Sequence, residues 1–127
     1  RIVAAMSAKL WRGARVAPLL SSFSAAALDA AAAAPGLKRG LLAGEIPVDW
    51  RDRLVQLGCI SLHCDHRHLT QAQAHSVKEA GYALLCYTVH DPATARELFA
   101  WGVDAVVTDR PDLVLPGPTA PARRPST

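Results

Sequence analysis

Residues 59–89 read CISLHCDHRHLTQAQAHSVKEAGYALLCYTV. Two short apolar runs, "CISLH" and "YALLCYTV", flank a segment with a marked start and a marked stop. Thr70 stands before "QAQAHSVKEA" with Gln73 three residues on, the spacing at which each side chain satisfies an open amide beside the other. Gly81 supplies the stop, because glycine takes the left-handed backbone that commonly follows a helix. A strand, a helix and a second strand over about thirty residues make a βαβ unit. Its two strands run parallel, since the helix returns the chain to the edge it left.

The unit recurs on both sides. "LKRGLLAG" (37–44) is a strand candidate, and Asp49 is the expected N-cap of "WRDRLVQL" (50–57). Asp52 lies in that helix's first turn, where a carboxylate favours the exposed amides, and Gly58 ends the helix. Before it, "APLLSSF" (17–23) reads as a strand and Ser24 as the N-cap of "AAALDAAAAA" (25–34), which Pro35 and Gly36 stop. At the start, Ile2, Met6 and Leu10 recur at spacings of four with Val3 and Trp11 beside them, a helical stripe that lacks a cap and ends at Gly13. Downstream, Asp91 and Pro92 form an N-cap followed by proline at the first helical position. "ATARELFAW" (93–101) closes at Gly102, and "VDAVVT" (103–108) is the fifth strand. From Pro116 onward four prolines fall in twelve residues, so a folded domain is expected over residues 1–115 and a disordered tail over 116–127.

The composition agrees with one folded domain. Of 127 residues 50% are apolar and 20% charged, too apolar a balance for a disordered chain. Aromatic residues are only 6%, so the core is built from alanine and aliphatic side chains. A net charge of +3 with no basic stripe or recognisable module gives no basis for nucleic-acid binding. No run approaches the roughly 18 apolar residues of a membrane span. Three cysteines without paired spacing fit buried thiols in a reducing compartment, and a cytoplasmic location is expected.

Five parallel strands with little polar alternation fit a sheet covered by helices, either doubly wound or a (β/α) barrel. A dinucleotide-binding doubly wound fold carries a glycine-rich turn after its first strand, and "LLSSFS" is not one. A flavodoxin-like sheet stays open as an alternative. Polar residues gather at the carboxyl ends of the strands: Ser21 and Ser22, His63 and Asp65, Thr88 and His90, Thr108 and Asp109. That edge is where barrel enzymes place their chemistry.

The segments "PLLSSFS", "KRGLL", "W-R-x-x-L-x-x-L-G-C-I-S-L-H", "VKEAGYALLCYTV-x-DP" and "ELFAWGVDAVVTDRPDLV" occur in this order between Val3 and Leu115. Together they resemble the C-terminal portion of bacterial cytoplasmic glycerophosphodiester phosphodiesterases. The resemblance implies the last five βα units, strands four to eight, of a (β/α)8 barrel that is incomplete in this chain. It implies a parent enzyme that hydrolyses glycerophosphodiesters to glycerol 3-phosphate and an alcohol with a divalent cation, magnesium or calcium. The family's histidine and carboxylate motifs belong to strands one to three, upstream of what is present. No catalytic or metal-ligating residue therefore maps onto this sequence, no metal is expected on this chain alone, and the chain by itself is expected to be inactive. The alternative is a catalytically inactive barrel remnant that binds or assembles, with self-association through the open barrel edge.

Four residues are expected to contact substrate. His63 ends the third strand and shares a face with Ser61 and Asp65 by the strand's period of two. Tyr87 stands where the resemblance implies an aromatic wall for the glycerol backbone, Phe23 is a lumen aromatic, and His90 takes a place where the family usually has asparagine. A zinc site from His63, Cys64 and His66 would need side chains from opposite faces. His66 and His68 are expected in solvent, Asp109 as a structural residue that caps "RPDLV" or pairs with Arg110, Glu45 at the mouth, and Cys59, Cys64 and Cys86 in the core.

Overall fold

Helix starts follow the short-range signals closely. The computed structural model describes residues 1–114, so the tail expected over 116–127 and the boundary at 115 lie outside the described residues. Along the chain come α1 (Ile2–Leu10), β1 (Leu19–Ser22), α2 (Ala25–Ala31), β2 (Lys38–Ala43), α3 (Trp50–Leu57) and β3 (Ser61–Asp65). A 3-10 turn (His66–His68), α4 (Gln71–Glu79), β4 (Ala83–Tyr87), α5 (Pro92–Ala100) and β5 (Ala105–Val106) follow. Ser24 accepts the Ala27 amide at 3.2 Å, and Asp91 accepts that of Thr94 at 3.0 Å. At α4 the reciprocal pair is complete: Thr70 Oγ1 accepts the Gln73 amide at 3.2 Å and Gln73 Oε1 accepts the Thr70 amide at 2.9 Å.

Asp49 is the exception. It occupies the N-cap position of α3 without bonding a helix amide, because its carboxylate accepts from Arg53 Nε at 2.9 Å instead. The other end of α3 is held by a residue from a strand. Gly58 takes φ 59°, and the Arg39 guanidinium donates to the Leu57 carbonyl at 3.0 and 3.1 Å, placing a cation at the negative end of the helix.

The five strands lie side by side in sequence order, all parallel. A doubly wound sheet reverses its strand order partway. This one does not, which removes the flavodoxin-like alternative. Period two then separates two faces. Leu41, Leu62, Cys64, Leu84 and Cys86 point outward into a core with Leu54, Ala74, Val77 and Leu98 of the helices. The opposite face, aligned by the register Gly40 to Ser61 to Ala83 and Leu42 to His63 to Leu85, is the barrel lumen. The fold is five βα units of a (β/α) barrel, and the barrel is not closed among the described residues.

Two elements depart from the sequence expectation. The fifth strand is a regular ladder only at Ala105–Val106, although hydrogen bonds on either side tie Asp104 to Leu84 and Val107 to Cys86. The stripe on α1 is exposed: Ile2 at 81%, Met6 at 48% and Leu10 at 71%. The helix instead buries Ala4, which joins Ala31, Ala34 and Leu37 in a small second core. Small side chains let α1 and α2 approach closely, and the larger apolar residues face away.

Candidate functional site

The carboxyl ends of the strands form a concave rim, and two contacts measure its curvature. Phe23, just beyond β1, meets Tyr87 of β4 edge to face with ring centroids 6.3 Å apart. The Tyr87 hydroxyl donates to the Ala43 carbonyl on β2 at 3.2 Å. Strands β1 and β4 are three spacings of about 4.8 Å apart within the sheet. Their side chains meet because the sheet curls toward this face.

His63 sits in the lumen on β3, buried to 7% exposure, with Nε2 2.8 Å from Ser61 Oγ. Burial pushes its pKa below the ordinary histidine value, so the ring is neutral at pH 7. The period-two face continues to Asp65, which pairs in register with Tyr87. Asp65 is occupied locally. It accepts the Arg67 amide at 3.0 Å, and its two oxygens take the Arg67 guanidinium at 2.6 to 3.1 Å. Those hydrogen bonds hold its carboxyl well below the usual carboxylate range. Tyr87 is shifted the other way, upward, chiefly by burial and then by the Asp65 charge.

Further out, histidine and carboxylate couples bridge neighbouring loops. His90 Nε2 lies 3.9 Å from Asp109, and His68 Nδ1 lies 3.7 Å from Glu45; all four side chains are solvent-exposed. Asp109 therefore does not pair with Arg110, whose guanidinium reaches Asp112 at 2.7 and 2.9 Å. His66 is half-buried and not fully in solvent as expected, while His68 is exposed. The three cysteines are buried and free, with Cys64 and Cys86 Sγ atoms 4.0 Å apart.

Of the four expected contact residues, Phe23 and Tyr87 touch each other, His63 lies one strand from Tyr87, and His90 stands apart on the β4 exit loop. The partnership of Ser61 with His63 was signalled by the strand period. The locking of Asp65 by Arg67 was not, because a bond two residues along a tight turn has no periodic signature. Among the described residues no group of three or more histidine, cysteine, aspartate or glutamate side chains could hold a metal ion. A divalent cation does not fit these residues by themselves: Asp65 is taken by Arg67, and each outer couple offers a single carboxylate.

Parallel strands curled around a lumen, with aromatic, histidine and carboxylate side chains at their carboxyl ends, define a (β/α)-barrel protein of the kind that works at that rim. Residues 2–113 match the glycerophosphoryl diester phosphodiesterase family, and the chain belongs to it. Among solved structures, an Oleispira antarctica phosphodiesterase in complex with the product sn-glycerol-3-phosphate is 35% identical with TM-score 0.78, over 85% of this chain and 45% of that one. A Parabacteroides distasonis glycerophosphodiester phosphodiesterase is 25% identical with TM-score 0.66, over 87% and 48%. A Thermotoga maritima glycerophosphodiester phosphodiesterase, 24% identical with TM-score 0.64 over 83% and 49%, shares the fold. The chain thus spans a little under half the length of each of these structures. No curated protein matches it.

Proposed function

We propose that the chain is the C-terminal part of a glycerophosphodiester phosphodiesterase that releases glycerol 3-phosphate and an alcohol, and that it supplies the substrate-facing wall and not the reacting groups. The observation that carries this is the family match over residues 2–113, joined to 35% identity with a relative that holds sn-glycerol-3-phosphate. Phe23 and Tyr87 give an apolar wall for the glycerol backbone, and His63 and His90 offer hydrogen bonds to its oxygens. A magnesium or calcium ion and the proton-transfer pair belong to the other βα units of the barrel. The partial domain takes in the described residues, 1–114. Buried free thiols support a cytoplasmic setting, and no helix among the described residues is long and apolar enough to cross a membrane.

Hydrolysis of a phosphodiester by this route needs a cation held by several carboxylates and a proton-transfer pair aimed at phosphorus. The purified 127-residue chain is accordingly expected to release no glycerol 3-phosphate from glycerophosphocholine above background, with magnesium, with calcium or after chelation. Coexpressed with three upstream βα units of a family member, it should give cation-dependent turnover. Metal-dependent turnover by the chain alone would move the chemistry into these five units. An inactive complex with those upstream units would favour the second reading, a non-catalytic assembly module, for which the edges of β1 and β5, each paired on one side only among the described residues, speak.

A further inference from the structure

We infer that Ser61 is a positioning residue that fixes His63 in its Nδ1–H tautomer and turns that N–H, as a neutral donor, toward the carboxyl-end mouth of the lumen. The ligand it would take is an uncharged or anionic acceptor oxygen, a phosphate ester or hydroxyl oxygen.

Ser61 is 1% exposed, and its Oγ has one hydrogen-bond partner among the described residues, His63 Nε2 at 2.8 Å. A serine hydroxyl carries one proton, and a buried proton of this kind is paired. Were Nε2 protonated and donating to Oγ, the serine proton would have no acceptor. The hydroxyl therefore donates, Nε2 accepts, and the ring proton of the neutral imidazole sits on Nδ1. This is the opposite of free histidine, which favours the proton on Nε2.

Space holds the ring where the bond puts it. A Cβ at Gly40, on the neighbouring strand, would lie 2.7 Å from His63 Nε2 and 3.1 Å from its Cε1. The absence of a side chain there is what lets the ring lean down the strand toward Ser61. Ser61 lies two residues earlier on β3, toward the amino end of the barrel. The two ring nitrogens diverge widely, so with Nε2 turned to Ser61 the Nδ1 is directed away from the amino end of the barrel. No sealed side-chain nitrogen or oxygen among the described residues lacks a partner, and Nδ1 bonds none of them, so it is the accessible nitrogen. Burial keeps the ring neutral, which makes it a donor that adds no charge to the site.

The ligand class rests on the function proposed above; the tautomer does not, and it can be read without any ligand. Two-bond proton–nitrogen correlation spectra of the chain labelled with 15N-histidine distinguish the two tautomers, since the protonated ring nitrogen resonates far upfield of the bare one. Assigned by loss in His63→Gln, the His63 ring should show the upfield shift at Nδ1 at pH 7. Ser61→Ala should return the proton to Nε2 or average the two nitrogen shifts. A His63 ring protonated at Nε2 in the unsubstituted chain, or an averaged ring, overturns the inference, as does a Ser61→Ala chain that keeps the Nδ1–H signature. In the fixed tautomer, inorganic phosphate or sn-glycerol 3-phosphate should shift the Nδ1 resonance selectively. A ring that holds the Nδ1–H form but ignores both compounds would leave the tautomer standing and overturn the ligand class.

Discussion

Gly40 is buried on the lumen face, and a Cβ built there would stand 2.5 Å from Ser61 Oγ as well as 2.7 Å from His63 Nε2. Its need for glycine is a matter of space, because its backbone is that of an ordinary strand. Gly44, four residues on, has nothing within 4 Å of the corresponding position. Gly40→Ala is therefore expected to cost about 1–3 kcal/mol by overpacking, while Gly44→Ala stays within about 0.5 kcal/mol. Urea denaturation of the two variants reads the difference, and equal midpoints would mean that the Ser61 and His63 pair yields easily. The sequence showed that Ser61, His63 and Asp65 share a face, because alternation is a property of the strand alone. It did not show which glycine the histidine leans over, since that depends on the register between β2 and β3.

The helices test how far local chemistry decides an element. Thr70 and Asp91 each accept an amide of their helix, and Asp49, in the same position, accepts from Arg53. Thr70→Ala should cost about 1 kcal/mol, the ordinary worth of a cap, and Asp91→Ala should lower the unfolding midpoint in the same direction. Asp49→Ala should cost markedly less, because what it loses is an exposed ion pair between neighbouring turns of one helix. Thermal or urea unfolding would rank the three, and an Asp49 variant as costly as the others would mean that the cap forms in solution. Helix starts and the parallel sense were legible because caps, glycine stops and apolar runs act over a few residues; strand order was not, since barrel and doubly wound sheets share the same alternation of strand and helix. The burial of α1 was not. Its stripe of Ile2, Met6 and Leu10 has the right spacing, but which face is covered depends on neighbours, and α2 presents alanines to Ala4. The ring contact of Phe23 with Tyr87 was likewise beyond sequence spacing, since it spans three crossovers and depends on how strongly the sheet curls.

For the molecule as a whole the controlling number is five. Among the described residues β1 and β5 each pair on one side only, and the exposed apolar face of α1 lies at the β1 end of the sheet. A (β/α) barrel closes at eight strands, where the lumen is just wide enough for side chains to fill. Three more strands meet that condition. A second copy would bring five and make ten, whose lumen these side chains would leave partly empty. Contact between copies would instead run head to tail, the β1 edge of one against the β5 edge of the next, which propagates without closing. The chain alone should therefore show mass that rises with concentration, with no plateau at a dimer. A segment of three upstream βα units from a family member should convert it to a one-to-one complex. Size-exclusion chromatography with light scattering, over a concentration series with and without that segment, measures both. A monomer at every concentration that unfolds in one sharp transition and ignores the added segment would mean that five units suffice, and that the open edges recruit nothing.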